Sequence, residues 1–299
     1  MCVDCGCSNG AKATVTNVKT GKVSEIWRSM VAHLHDQGYI EEPGQHAHGA
    51  DGHHHDHDHQ HGHSHSNDHS HDRGDGHSHA HGVVDLQQAI LTKNDRLAAR
   101  NRAWLAGREV LMLNLVSSPG SGKTSLLERT IRDLSGKLEI SVIEGDQATS
   151  NDGERIQAAG AAAIQVNTGT GCHLEADMVQ RGLDELKPKP GSIVMVENVG
   201  NLVCPALFDL GEYAKVAILS VTEGEDKPIK YPHMFRASRL LLLNKIDLLP
   251  YLDFDVAKTL DFARQVNPDV EVIEVSAKTG EGMAEWYRWL AKRITDVRM

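Results

Sequence analysis

Apolar positions follow two regimes along the chain. From residue 83 onward, apolar runs recur near 110–116, 140–143, 161–166, 193–196, 216–221, 240–243 and 270–275, with helix-length stretches between most of them. A short, continuous apolar run suits a strand buried on both faces. Its alternation with helices predicts an α/β fold: a mostly parallel sheet with helices on both faces. Ahead of these runs, DLQQAILTKNDRLAARNRAWLAG places Leu86, Ile90, Leu97, Trp104 and Leu105 roughly on one helical face, the pattern of a packing helix. Before residue 83 the pattern lapses, and a short helix over 24–37 is the one element expected there. No repeat of 20–50 residues is evident.

Composition explains the lapse. From His46 to His81 the chain is almost wholly His, Asp, Gly, Ser, Gln, Asn and Ala, and it holds fifteen of the nineteen histidines. Nothing there can offset the entropy of ordering a chain, so the tract is expected to be disordered without metal. A cloning tag is the trivial alternative, but the internal position and interleaved Asp and Ser argue against it. Three regions follow: an arm over 1–45, the His-rich tract over 46–82 and a globular domain over 83–299. The net charge of −10 argues against a general nucleic-acid partner. No apolar run approaches membrane-spanning length, and the N-terminus has no secretory h-region, so a cytoplasmic location is expected. Thiols stay reduced there, and clustered cysteines are more often metal ligands than disulfides.

The first apolar run of the globular domain, VLMLNLV, leads into SSPGSGKTS. Gly122, Lys123 and Thr124 match the end of the phosphate-loop pattern, while Ser117 replaces its first glycine. The backbone of Gly120, Ser121, Gly122, Lys123, Thr124 and Ser125 is expected to face phosphate oxygens, helped by the positive end of the following helix. Lys123 would reach the β- and γ-phosphates, and Thr124 would bind Mg²⁺. Further on, LLLLNKIDLLP supplies Asn244, Lys245 and Asp247, which resemble the guanine-reading motif of GTPases. The Asp247 carboxylate can accept from both guanine N1–H and the exocyclic amine; adenine would leave it unpaired. The stem of Lys245 can cover the base, and Asn244 can brace the loops. EVSAKTG gives Ser276, Ala277 and Lys278, like the second guanine loop of that class. GTP and GDP are therefore expected over adenine nucleotides.

Asp146, in EGDQATSNDG, is placed to hold Mg²⁺ directly or through water, with Asp152 as a second candidate or a helix-cap aspartate. VMVENVGN puts Glu197 where a second acidic magnesium-site residue would sit. It puts Gly200 where an N–H could bond the γ-phosphate and flip when that group leaves. Asn201 follows in place of a water-orienting glutamine, so slow intrinsic hydrolysis is expected.

Cysteines are scarce, five in 299 residues, and three lie in the opening MCVDCGC. Cys2, Cys5 and Cys7 can grip one ion, with the terminal amine as a fourth donor; a planar set suits Ni²⁺ and a tetrahedral one Zn²⁺. The other two, Cys172 and Cys204, follow the carboxyl ends of strands, where open α/β sheets build their sites, and His173 adjoins the first. They are either two small buried hydrophobes and a surface histidine, or a metal site. Cys204 lies four residues beyond Gly200, which favours the site and predicts that nucleotide and metal binding are coupled. A fourth ligand could come from water, Glu175, Asp177 or a second subunit across a two-fold axis.

Together, MCxxCGC, the His-rich insert, NDRLAARNR, SSPGSGKTS, the Cys172–His173 pair, ENVGNLVCP, NKID and SAKTGEGM closely resemble the hydrogenase nickel-incorporation GTPases of the HypB family. The resemblance spans nearly the whole chain. It implies a SIMIBI-class P-loop GTPase fold, GTP with Mg²⁺, and a homodimer. It also implies nickel at Cys2, Cys5 and Cys7, and nickel or zinc at Cys172, His173 and Cys204 between subunits. Its implied partners are a HypA-type zinc protein and the hydrogenase large-subunit precursor. Two other readings remain: a nickel storage protein with a minor GTPase role, and the related urease accessory GTPase. The latter family typically carries Cys-Pro-His near its switch, whereas Cys172–His173 and Cys204–Pro205 stand apart here.

Overall fold

Each of the seven apolar runs forms a strand. The structure, a computed structural model, describes residues 13–26, 78–146, 151–169 and 171–299, with the backbone alone for 25–26, 78–87 and 151. Its strands are β1 (Ala13–Asn17), β2 (Val23–Ile26), β3 (Leu111–Ser117), β4 (Ile140–Asp146), β5 (Ala162–Asn167), β6 (Ile193–Glu197), β7 (Ala214–Ser220), β8 (Ser238–Asn244) and β9 (Glu271–Val275). They form one sheet in the order β2-β1-β5-β4-β6-β3-β7-β8-β9. From β5 to β9 every pairing is parallel.

Successive residues of β3 serve different layers, as a strand covered on both faces demands. Leu111, Leu113 and Leu115 join a core with Leu126, Leu127 and Ile131 of helix α2 (Lys123–Leu134) and with Trp286, Trp289 and Leu290 of the C-terminal helix Met283–Arg298. Met112 joins a second core with Leu105 of helix α1 (Ser78–Ala106) and with Met178, Val179 and Leu183 of the helix Ala176–Leu186. Truncating one of these fully buried leucines to alanine would cost about 2–5 kcal/mol.

The chain forms two units, 1–28 with 91–299 and, by itself, 29–90; of the latter only the α1 residues from Ser78 are described. Within the larger unit, β1 pairs antiparallel with β5, Val15 opposite Val166, so this part of the 1–45 arm extends the sheet of the 83–299 domain. Residues 24–26, expected to start a helix, are strand instead. TVTN is β-branched and alternates, burying Ala13 and Val15. Asn17 Oδ1 accepts from Lys19 N and Thr20 N, both at 3.1 Å, and Gly21 (φ +67°) completes the turn. Residues 27–37 lie outside the described residues, as do Cys2, Cys5, Cys7 and the tract from 46 to 77; α1 starts inside the tract expected over 46–82.

α1 also corrects the expected packing stripe. Among its residues 88–106, whose side chains are described, Asn94, Ala98, Asn101 and Leu105 are buried, Ile90 and Leu97 are half-buried and Trp104 is 39 % exposed under Arg108, while the side chain of Leu86 lies outside the described residues. Asn101 Nδ2 donates to Ala176 O (2.9 Å) and Leu210 O (3.0 Å), and Asn94 Oδ1 accepts from Ala176 N (2.9 Å). Two amides thus hold the start of the helix Ala176–Leu186, which an apolar stripe could not do.

Candidate functional site

Chain order reverses direction across the sheet on either side of β3, and the loops after β3, β6 and β8 meet at the carboxyl ends of these strands. That is the position where open α/β sheets bind ligands. The turn after β3 is held by its own side chains. Ser121 Oγ donates to Ser117 Oγ (2.7 Å), and Lys123 Nζ donates to the same oxygen (2.9 Å). Gly122 enters α2 at φ +97°, and a Cβ there would stand 2.6 Å from Asn244 Nδ2. Serine in place of the pattern's first glycine is therefore an internal acceptor for Ser121 and Lys123. Gly120 is also in the left-handed region, at φ +76°. Ser125 is exposed on the first turn of α2.

The loop after β8 laces these parts together. Asn244 Nδ2 donates to Ser121 O (2.9 Å), its Oδ1 accepts from Ala277 N (3.3 Å), and Lys245 Nζ donates to Gly120 O (2.7 Å). Asp247 Oδ1 accepts from Ser276 Oγ (2.6 Å), so the two loops already share one acceptor–donor pair. Lys278 is exposed beside them. The cradle fits a nucleotide: it gathers backbone, lysines and a carboxylate, with no room for a side chain at 122.

Thr124 Oγ1 donates to Glu197 Oε1 at 2.7 Å, while Glu197 Oε2 is buried without a hydrogen-bond partner. A hydroxyl and an orphaned carboxylate oxygen at one point fit a hard divalent cation. Burial, opposed by Lys123 and Thr124, pushes Glu197 up to about 7. Its register neighbour Glu144, buried on β4, is pushed up to about 9 by burial and then by the charges of Glu197, Asp146 and Asp152. Burial lowers Lys123, against the charges of Glu197, Asp152, Glu144 and Glu223. Asp146 ends β4, and 147–150 lie outside the described residues. Asp152 is committed elsewhere: it pairs with Arg155 at 2.9 Å.

Cys172 and His173 follow β5, and Cys204 opens the short helix Cys204–Leu207. Their sulfurs stand 2.8 Å apart, Cys172 Sγ is 3.6 Å from His173 Nδ1, and the three donors lie within 4.8 Å of one another. Two thiols and an imidazole are the donor set of a Zn²⁺- or Ni²⁺-like ion, whose bonds of about 2.0–2.3 Å hold donors roughly 3–4 Å apart, so the two sulfurs would part slightly to share one. His173 stacks on Phe208, ring centroids 3.9 Å apart, and its Nε2 lies 3.9 Å from Glu175 Oε1. Asp177 pairs instead with Arg181 at 3.2 Å. Between this cluster and the phosphate loop sits Gly200. A Cβ there would be 3.2 Å from Cα, N and Cγ of Pro119.

Residues 111–274 match the model of the CobW/HypB/UreG nucleotide-binding domain. The hydrogenase maturation factor HypB of Azotobacter chroococcum is 59 % identical over 211 residues, 71 % of this chain and 69 % of that protein. The HypB of Escherichia coli K12 is 59 % identical over 208 residues, 70 % of this chain and 72 % of that protein. The chain belongs to the HypB family of hydrogenase maturation factors. Among solved structures, HypB of Archaeoglobus fulgidus superposes with a TM-score of 0.64 at 38 % identity, covering 68 % of this chain and all of that one. HypB of Helicobacter pylori in complex with nickel gives 0.65 at 33 % identity, covering 68 % of this chain and 96 % of that one.

The HypB nucleotide-binding domain brings together Lys123, Thr124 and Glu197, then Asn244, Lys245, Asp247, Ser276 and Ala277, and then Cys172, His173 and Cys204. Sequence reasoning missed Glu144, Asn114 and Asn198. The available signal was a polar residue inside an apolar run for Asn114 and Glu144, in LMLNLVS and ISVIEGD, and directly after the run IVMVE for Asn198. No helix among the described residues is long and apolar enough to cross a membrane.

Proposed function

We propose that this chain is a GTP-hydrolysing nickel metallochaperone for [NiFe]-hydrogenase maturation, whose nucleotide state governs the metal site beside its switch. One observation carries the proposal: Cys172, His173 and Cys204 converge within 4.8 Å, on loops flanking the glycine that rests on the phosphate loop. The nickel complex of the Helicobacter pylori relative supports the choice of cargo.

Asp247 would pair with guanine N1–H and its amine, and the Ala277 region would meet O6, with Lys278 at the rim and the Lys245 stem over the base. Lys123 would exchange Ser117 for phosphate oxygens, whose negative charge would oppose the effect of burial on the ammonium. Mg²⁺ would sit at Thr124, with Glu197 and Asp146 as its carboxylates, and supply charge neutralisation on the phosphates. The N–H of Gly200 would donate to the γ-phosphate. With Asn201 next to it, nothing at that position orients water as a glutamine would, so turnover should be slow. Cys2, Cys5 and Cys7 would collect nickel, and the histidines from 46 to 81 would hold ions loosely and release them as pH falls through the imidazole range. Nickel or zinc at Cys172, His173 and Cys204 would be shared across a homodimer. A HypA-type protein and the hydrogenase large-subunit precursor are the proposed partners, in the cytoplasm.

The test is metal content and GTP turnover measured together in the unsubstituted chain, in Cys2→Ala/Cys5→Ala/Cys7→Ala and in Cys172→Ala/Cys204→Ala. Each triple or double variant should lose a distinct metal equivalent, and nickel should change GTP turnover only while Cys172 and Cys204 remain. Turnover indifferent to nickel in all three chains would overturn the reading.

A further inference from the structure

Asn198 stands two residues before Gly200 and Asn201 directly after it, and both side chains reach the thiol-bearing loop. Asn198, 1 % exposed, accepts from Leu174 N (3.3 Å) and Val199 N (2.9 Å), and its Nδ2 donates to Asn114 Oδ1 (3.2 Å). Asn114 sits mid-way along β3, the strand that ends in the phosphate loop. It donates onward to Glu212 Oε1 (3.2 Å), which also takes Lys215 Nζ at 2.7 Å. Asn201 spans the other flank: its Nδ2 donates to Cys172 O (3.5 Å), and its Oδ1 accepts from Val203 N (2.8 Å), one residue before Cys204.

Beyond these amide contacts, the thiol loop is tied at its ends. Leu174 is fully buried against Gly145, where a Cβ would lie 2.8 Å from the leucine side chain. Thr168 N donates to Asp146 O (2.9 Å), and its hydroxyl donates to Gly171 O (2.7 Å). Both ends of the loop are therefore tied to the end of β4, and its middle is tied to the residues around Gly200. A primary amide suits the task, because it can hold a carbonyl and an N–H at once. A carboxylate of the same shape can only accept.

We propose that Asn198 and Asn201 are positioning residues that convert a displacement of Gly200 into a changed geometry of the Cys172, His173 and Cys204 donors. This rests on the nucleotide–metal coupling proposed above. Displacing residues 198–201 moves the partners of Leu174 N, Cys172 O and Val203 N together. The two thiols and the imidazole then part or close as a set, and a nucleotide-dependent metal affinity follows by linkage.

The test uses the full chain carrying Cys2→Ala/Cys5→Ala/Cys7→Ala, so that Cys172 and Cys204 are its remaining thiols. Ni²⁺ is titrated and read by thiolate-to-nickel charge-transfer absorbance, which imidazoles do not produce, with GDP and then with a non-hydrolysable GTP analogue. The two dissociation constants should differ by about 5- to 150-fold. Asn201→Ala, and Asn201→Asp, which keeps the acceptor but loses the donor, should each bring the ratio to within about twofold of one. A charge effect of the aspartate on affinity would act in both nucleotide states and cancel in the ratio. Asn198→Ala should do the same where its melting temperature shows a folded chain; Asn201, half-buried, decides the matter otherwise. A ratio preserved in both Asn201 variants overturns this proposal and leaves the coupling standing. A ratio of one without any substitution at Asn198 or Asn201 overturns the coupling, and this proposal with it.

Discussion

The phosphate loop and the thiol loop lie on either side of Gly200 and are built on opposite principles. The phosphate loop is closed on itself before any ligand arrives. Ser117 takes hydrogen bonds from Ser121 and Lys123, Asn244 and Lys245 hold its carbonyls, and Gly122 is pressed against Asn244. The thiol loop hangs by its two ends and a few amide contacts, and both Cys172 within it and Cys204 beside it stay partly exposed. Preorganisation suits tight nucleotide binding, because little ordering remains to be done on association. Loose suspension suits the cargo ion proposed above, which would be both taken and released. Substitutions should therefore act steeply on the first loop and by degrees on the second.

The largest effect is expected from Gly122→Ala. Its φ of +97° strains any side chain, and the new methyl must push aside the amide that holds Ser121 O. Strain of about 1–3 kcal/mol and a hydrogen bond of about 1 kcal/mol add to roughly 3 kcal/mol, a loss of about 100-fold in nucleotide affinity. Titration with a fluorescent GDP measures it. Affinity unchanged within about threefold would show that the loop is pliable, and the contrast between the two loops would dissolve.

An intermediate effect should come from Glu144→Gln, which probes how much charge the nucleotide side stores. Burial and neighbouring carboxylates push Glu144 up to about 9 and Glu197 up to about 7. A raised carboxylate binds its proton in the folded chain where the unfolded chain has already lost it. Its stabilising contribution is thus complete below the unfolded value near 4.5, and it drains away as pH climbs toward 9. Glutamine keeps the neutral shape at every pH. Without nucleotide or Mg²⁺, the variant should outlast the parent at alkaline pH by on the order of 2 kcal/mol and converge with it near pH 5. Melting temperatures across that range decide it; parallel curves would remove the buried-acid assignment.

The two loops also differed in how well the sequence revealed them. Seven strands were legible because parallel strands covered on both faces must be apolar throughout, and the phosphate-loop and guanine motifs stand at strand ends. β1 was not, because the five alternating residues ATVTN carry little periodic signal and their pairing with β5 spans about 150 residues of sequence. The α1 stripe held at Leu105 but misled elsewhere for a related reason: two of the buried positions are amides, Asn94 and Asn101, whose partners lie elsewhere in the chain. Cys172, His173 and Cys204 were legible as candidates by residue type. That they converge depended on Leu174, Asn198 and Gly145, whose roles exist only in three dimensions.

The smallest expected effect sharpens the thiol side. Glu175 and Asp177 were equal candidates for a fourth ligand, and their surroundings now separate them. Glu175 Oε1 stands 3.9 Å from His173 Nε2, while Asp177 is engaged by Arg181 and lies in the first turn of its helix. A carboxylate beside a ligating imidazole orients the ring and raises its basicity, and losing such a partner costs about 10-fold in metal affinity at the low end. Glu175→Gln should therefore weaken Ni²⁺ binding about 10-fold, and Asp177→Asn should leave it within about twofold, both read by charge-transfer titration. Equal effects from the two would mean that net charge near the loop, rather than this one contact, sets the affinity. Even the expected loss is about a tenth of that predicted for one methyl on Gly122, the gradation that a closed cradle and a suspended loop require.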